Sequence, residues 1–260
     1  MCIQDVGNRD NNQMNLQFSG NRALIVGGSC DLAIVLAKHL IKAGLFPVLT
    51  FRTQKGLDHL SERLRDFRAK YSTVYLDFSD PGSLDPALRH LDRDIDFMVD
   101  FAQGDFESLV ASADEVDIYR FFAENISFRA EMIKRVARIM LVEKKGRLIY
   151  VSSSAAVKPN PGQGFYAAAK VASEALYRNL GIELGGRGIT TVTLRPGYMD
   201  EGRGRAFLDS PGEGALAKVP IKRALSSEEL AETILFYLSD SARGFNATEI
   251  SIDGGLTAGK

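Results

Sequence analysis

Ala23-Leu24-Ile25-Val26-Gly27-Gly28-Ser29-Cys30-Asp31-Leu32-Ala33 is the stretch on which the fold turns. An apolar run of β type enters two glycines. It leaves through Leu32, Ala33, Leu36, Ala37, Leu40 and Ile41, whose spacing of three and four is that of a helix. Strand, tight turn and helix in this order place backbone N–H groups and a positive helix end together, where a pyrophosphate can sit. A helix start capped by Ser29 or Asp31 is the plainer reading of the same residues.

Working outward, apolar β-type runs recur at Phe46–Phe51, Thr73–Leu76, Ile95–Val99, Arg147–Val151, Thr191–Leu194 and Glu249–Ile252. With Ala23–Val26 they make seven candidate strands. The runs are nearly continuous, as in a parallel sheet covered on both faces. Between them lie helical patterns such as Leu57-Leu60-Leu64-Phe67 and Leu230-Ile234-Leu235-Leu238, and residues 114–142 are long enough for one extended helix. This alternation predicts an α/β, doubly wound Rossmann fold: a seven-stranded parallel sheet with helices on both faces. The expected organisation is a polar arm over residues 1–18 and a single Rossmann-type domain over 19–260.

The 260 residues carry 45% hydrophobic and 25% charged side chains, ordinary for a folded globular chain. Lys+Arg is 32 against 33 for Asp+Glu, a net charge of -1, which argues against a nucleic-acid binder. Two cysteines and three scattered histidines support neither a disulfide framework nor a metal centre. No run approaches the roughly 18 apolar residues of a membrane span. The Asn/Gln-rich opening has no apolar leader core, so the expected location is cytoplasmic.

About twenty positions after the glycines, a fold of this kind often carries an acidic residue for a ribose 2′-OH. Here Thr50-Phe51-Arg52-Thr53 holds a guanidinium instead. Arg52 can pair with a 2′-phosphate, which favours NADP(H) over NAD(H); a solvated loop arginine is the alternative. Further on, Tyr166 and Lys170 share one helix face at i and i+4. An ammonium beside the phenol is expected to move its pKa down from about 10. Ser153 precedes Tyr166 by thirteen positions, at the end of the fifth strand, and Asn125 lies within the long helical segment.

With these residues in place, the chain resembles the short-chain dehydrogenase/reductase family over about residues 20–257. The resemblance rests on the glycine turn, Asn125, Ser153, Tyr166-x-x-x-Lys170, Arg195-Pro196-Gly197 and Ile252-Asp253-Gly254-Gly255. It implies a catalytic tetrad of Asn125, Ser153, Tyr166 and Lys170 and no metal. Tyr166 would exchange a proton with the substrate oxygen, and Ser153 would fix that oxygen. Lys170 would hold the nicotinamide ribose, and Asn125 would seat a water linking Lys170 to solvent. The expected cofactor contacts are Gly27, Ser29, Cys30, Asp31, Leu32, Arg52, Asp77, Phe78, Ala102, Tyr166, Lys170, Pro196 and Gly197. Asp77 matches the family's adenine-contacting aspartate; a loop or capping carboxylate is its other reading. Residues 198–218, with Arg203 and Arg205, would form a substrate lid or a plain surface loop.

Three departures stand out. Asp31 and Ala33 replace the later glycines of G-x-x-x-G-x-G. Asp100-Phe101-Ala102-Gln103 replaces Asn-Asn-Ala-Gly, and Tyr198-Met199-Asp200-Glu201 lacks the usual threonine after Pro-Gly. A carboxylate at Asp31 would repel a diphosphate unless it turns away to cap the helix. The resemblance implies an NADP(H)-dependent oxidoreductase acting on a small-molecule carbonyl or alcohol. One alternative is a 3-oxoacyl-carrier-protein reductase, with Lys144, Lys145 and Arg187 near the catalytic edge to meet an acidic acyl-carrier protein. Another is a non-catalytic protein that senses a nucleotide or binds a partner. Relatives commonly form homotetramers or homodimers through the helices bearing Asn125 and Tyr166.

Overall fold

The computed structural model describes residues 16–91, 94–208 and 214–258. Most of the expected N-terminal arm, residues 1–15, lies outside them. The part that is described is docked. Phe18 meets the Phe97 ring edge-on, and the Asp240 amide donates to Gln17 O.

Seven strands form one parallel sheet: β1 (Arg22–Val26), β2 (Phe46–Phe51), β3 (Ser72–Tyr75), β4 (Phe97–Asp100), β5 (Gly146–Val151), β6 (Ile189–Pro196) and β7 (Thr248–Ile252). Their order is β3-β2-β1-β4-β5-β6-β7. The chain winds from β1 to one edge, then returns to build the other half from β4. A crevice therefore opens at the carboxyl ends of β1 and β4, where open α/β sheets bind ligands.

The helices are α1 (Asp31–Lys42), α2 (Gln54–Arg63), α3 (Leu84–His90), α4 (Glu115–Phe122), α5 (Arg129–Glu143), α6 (Gly164–Leu184), α7 (Gly202–Leu208) and α8 (Ser227–Leu238). Strand pleating sorts the core into two layers. Ala23 and Ile25 pack with Ile34, Leu40, Leu60, Leu230 and Ile234 of α1, α2 and α8. Leu24 and Val26 face the other way, toward Leu84, Met132, Val136 and Tyr177 of α3, α5 and α6. Each buried aliphatic contributes roughly 1.5–3 kcal/mol on leaving water. Burial on both faces, rather than helix propensity, thus fixes the layers.

The strand boundaries differ little from expectation, except that β4 runs Phe97–Asp100 rather than Ile95–Val99 and β6 extends two residues further at each end, Ile189–Pro196. The long helix differs more. Between α4 and α5 the backbone widens to π-helical geometry over Ala123–Phe128, with Asn125 inside. Such widenings reorient side chains and backbone carbonyls and recur at functional positions. Among the described residues no helix is long and apolar enough to cross a membrane.

Candidate active site

A cleft of about 910 Å³ lies over the carboxyl edge of the sheet. Asn125, Ser153, Tyr166 and Lys170 all line it, and so does every position named above for the cofactor. Four unlike chemical groups therefore reach one space from the π segment, the end of β5 and the first turns of α6.

The glycine turn explains itself in this geometry. Gly27 has φ +73°, and a Cβ there would lie 2.8 Å from Ala102 N. A Cβ on Gly28 would lie 2.7 Å from Leu49 Cβ. The chain can pass between β2 and the turn after β4 because both side chains are missing. Cys30 is the N-cap of α1 and provides no side-chain cap. Neither Ser29 nor Asp31 caps the helix, contrary to the plainer reading. The first-turn N–H groups, at the positive helix end, face the cleft without a side-chain acceptor, which suits a pyrophosphate.

Asp31 turns away, but not to cap. Its Oδ1 lies 3.1 Å from His59 Nε2 and 3.4 Å from Arg63 Nη1, both on α2. The negative charge is thereby offset by a guanidinium beside the start of α1. Arg52 at the end of β2 is exposed, and no ion pair ties it down among the described residues. Asp77 accepts from the Ser79 amide at 2.9 Å and hydroxyl at 2.8 Å, so it shapes its own turn while lining the cleft.

Lys170 is buried and donates to Val151 O at 2.9 Å. Burial, reinforced by the Arg129 cation, pushes its pKa down to about 7. The Tyr166 phenol is pushed up, not down as the i/i+4 pairing predicts. Burial dominates there, and a hydrogen bond with Ser153 opposes it. An amine that has itself lost much of its charge at neutral pH cannot supply the expected pull.

Asn125 is built into the protein on three sides. Its Oδ1 accepts from Gly104 N at 2.8 Å, its Nδ2 donates to Phe121 O at 2.9 Å, and its main-chain oxygen accepts from Arg129 Nη1. Asp100, the last residue of β4 and the first of the altered turn, receives Ala102 N at 2.9 Å, Arg129 Nε at 2.8 Å and the Tyr177 hydroxyl at 2.9 Å. The altered turn is thus held by a buried ion pair. Arg129 went unremarked in the sequence. A cation on the apolar stripe of Phe128, Met132 and Val136 was the available signal. Gln103, named above only as part of the altered turn, lines the cleft, and neither atom of its buried amide has a partner among the described residues. Arg195 pairs with Glu174 at 2.6 Å and so ties β6 to α6.

Other charges move. Lys144, Lys145 and Arg187 precede β5 and β6, at the opposite edge of the sheet from the cleft, and Lys145 is paired with Asp96 at 2.6 Å. They cannot meet a carrier docked at the site. Lys158 and Lys218 line the cleft instead. Arg205 lines a separate small depression. Residues 209–213 of the expected lid, and the Arg203 side chain, lie outside the described residues.

A family model described as enoyl-(acyl carrier protein) reductase matches residues 30–257. The chain belongs to the short-chain dehydrogenase/reductase family. This family member is therefore an NAD(P)-dependent oxidoreductase. It is similar to the 3-oxoacyl-acyl-carrier-protein reductases of Salmonella typhimurium and Escherichia coli. Each is 27% identical over 244 residues, covering 93% of this chain and 99% of the relative. A gluconate 5-dehydrogenase from Burkholderia cenocepacia, solved with NADP and tartrate, superposes with TM-score 0.85 at 24% identity, covering 94% of this chain and 98% of that one. A structure described as a short chain dehydrogenase/reductase family protein gives 0.84 at 24% identity, covering 95% and 100%. These two likenesses speak to the fold.

Proposed function

We propose that the protein is an NADP(H)-dependent reductase or dehydrogenase of a small carbonyl or alcohol, with Tyr166, Ser153, Lys170 and Asn125 as its working groups. The observation that carries this reading is their convergence on one cleft beside an uncapped helix N-terminus. The first turn of α1 would hold the pyrophosphate, Arg52 the 2′-phosphate, Asp77 and Phe78 the adenine side, and Pro196 and Gly197 the nicotinamide side. When bound, NADPH supplies a hydride to the substrate carbon. Tyr166 gives its phenolic proton to the carbonyl oxygen, and Ser153 donates a hydrogen bond to the same oxygen. Lys170 holds the ribose hydroxyls. Asn125 fixes the Gly104 backbone against the π segment, which keeps that wall of the cleft in place.

Titration calorimetry with NADPH and NADH tests this reading. We expect NADPH to bind about tenfold tighter or better. Arg52→Ala should abolish that preference while leaving NADH binding unchanged. Failure of both nucleotides to bind at millimolar concentration overturns the reading.

A 3-oxoacyl thioester is the substrate class favoured by the relatives' names. Lys158 and Lys218 on the cleft give an acidic carrier a place to dock. Turnover of acetoacetyl thioester with NADPH, weakened by Lys158→Glu, is the expected result; no turnover removes this substrate. A second copy of the chain is the partner proposed for the helical face of α4 to α6. Val116, Tyr119, Val142, Val171 and Ile182 are exposed along those helices.

A further inference from the structure

Arg129 is fully buried, and its guanidinium bonds to β4, the turn after it, the π segment and α6. Nε binds Asp100 at the end of β4, and Nη2 binds Ala102 O in the turn that follows. Nη1 binds Asn125 O in the π segment and Ser173 Oγ on α6 at 3.1 Å. Ser173 lies one turn beyond Lys170. Arg129 Cζ and Lys170 Nζ sit 5.3 and 5.0 Å from the centroid of the Tyr150 ring, so two buried cations share one aromatic neighbour.

The carboxylates around them are already taken. Asp100 is bound by Arg129, Tyr177 and Ala102 N. Glu174 is bound by Ser152 and by both ends of the Arg195 fork. The groups facing Lys170 are thus Arg129 from α5, Asp100 from β4, Glu174 and Tyr166 from α6, Tyr150 from β5 and the Cys30 thiol before α1. Its hydrogen bond goes to a neutral carbonyl, Val151 O. A buried ammonium without a carboxylate of its own favours its neutral form until an anion arrives.

We propose that the Asp100–Arg129 pair is a positioning device that couples cofactor binding to uptake of a proton at Lys170. It rests on the reading of Lys170 as the residue that holds the cofactor ribose. Before binding, burial together with the fixed guanidinium leaves Lys170 largely as the amine just above neutral pH. The incoming diphosphate and ribose hydroxyls favour the ammonium, so a solvent proton enters with the cofactor. Arg129 touches no reacting atom and acts through Lys170 and through the backbone it clamps.

Calorimetry of NADPH binding in buffers of differing ionisation enthalpy counts protons taken up at each pH. The intact protein should take up most of one proton at pH 8 and little at pH 6. Asp100→Asn keeps an acceptor for Ala102 N but leaves Arg129 uncompensated. It should move the uptake curve down by about one pH unit. Asp100→Asn combined with Arg129→Met removes the cation too, and should move the curve back to or above that of the intact protein. Loosened packing would move both variants alike, so shifts in the same direction overturn the proposal, as does an unshifted curve in Asp100→Asn. If the double variant fails to fold, the single variant decides. Absence of nucleotide binding by the intact protein instead overturns the functional reading beneath it.

Discussion

Tyr166 and Lys170 show how burial can reverse what neighbouring charge suggests. Each is pushed toward its uncharged form, the phenol upward and the amine down to about 7. Replacing Tyr166 by Phe removes the proposed proton donor and little else. Turnover should fall by about 10²–10⁴-fold while NADPH still binds, as steady-state kinetics and calorimetry will show. Lys170 carries a stability consequence as well. Its folded value lies below the ordinary 10.5, so between about pH 7 and 10.5 the unfolded chain binds a proton that the folded chain lacks. Its contribution to stability therefore rises with pH across that window. Lys170→Met should make the cofactor-free protein more stable by roughly 1–3 kcal/mol at pH 7. That gap should narrow toward pH 10 in urea titrations, and nucleotide affinity should be lost.

Among the elements, α8 has the most complete start. Ser226 Oγ accepts from Glu229 N at 3.2 Å, and Glu229 Oε2 accepts from Ser226 N at 2.9 Å. Ser226→Ala should cost about 1 kcal/mol in urea denaturation and leave nucleotide affinity untouched, because Ser226 does not line the cleft. The contrast with α1 is instructive: the helix that starts at the glycine turn beside the cleft has no side-chain cap. Both helices were legible from their spacing, as were the seven strands, because continuous apolar runs are what a doubly covered sheet demands. The π segment was not. Its residues, Ala123-Glu124-Asn125-Ile126-Ser127-Phe128, keep an unbroken helical pattern, and the widening depends on what Arg129 and Gly104 bind. The partners of Asp31 escaped the reading for a related reason. His59 and Arg63 are 28 and 32 positions away, and local sequence does not encode which way a carboxylate turns. The placement of Lys144, Lys145 and Arg187 was legible but missed: residues that precede a strand in a parallel sheet sit at the edge away from the ligand.

At the scale of the whole molecule, the sheet divides labour between its two ends. The carboxyl edge carries the cleft, and the amino edge carries ion pairs such as Lys145–Asp96. The helical face of α4 to α6 leaves Tyr119 78% exposed and Val116 69% exposed, more than a solvated surface usually leaves of such side chains in one region. Tyr119→Glu should shift the sedimentation coefficient from an oligomer to the monomer without lowering the thermal midpoint of the monomer. An unchanged coefficient would remove that face as the interface. The Asp100–Arg129 pair, 29 positions apart in the chain, also bears on ancestry. Neither partner can be exchanged alone without stranding an ion in a dry interior. Descendants must then inherit both or replace both at once, so the two codons should travel together through any lineage that keeps this floor, long after the surface around the cleft has diverged.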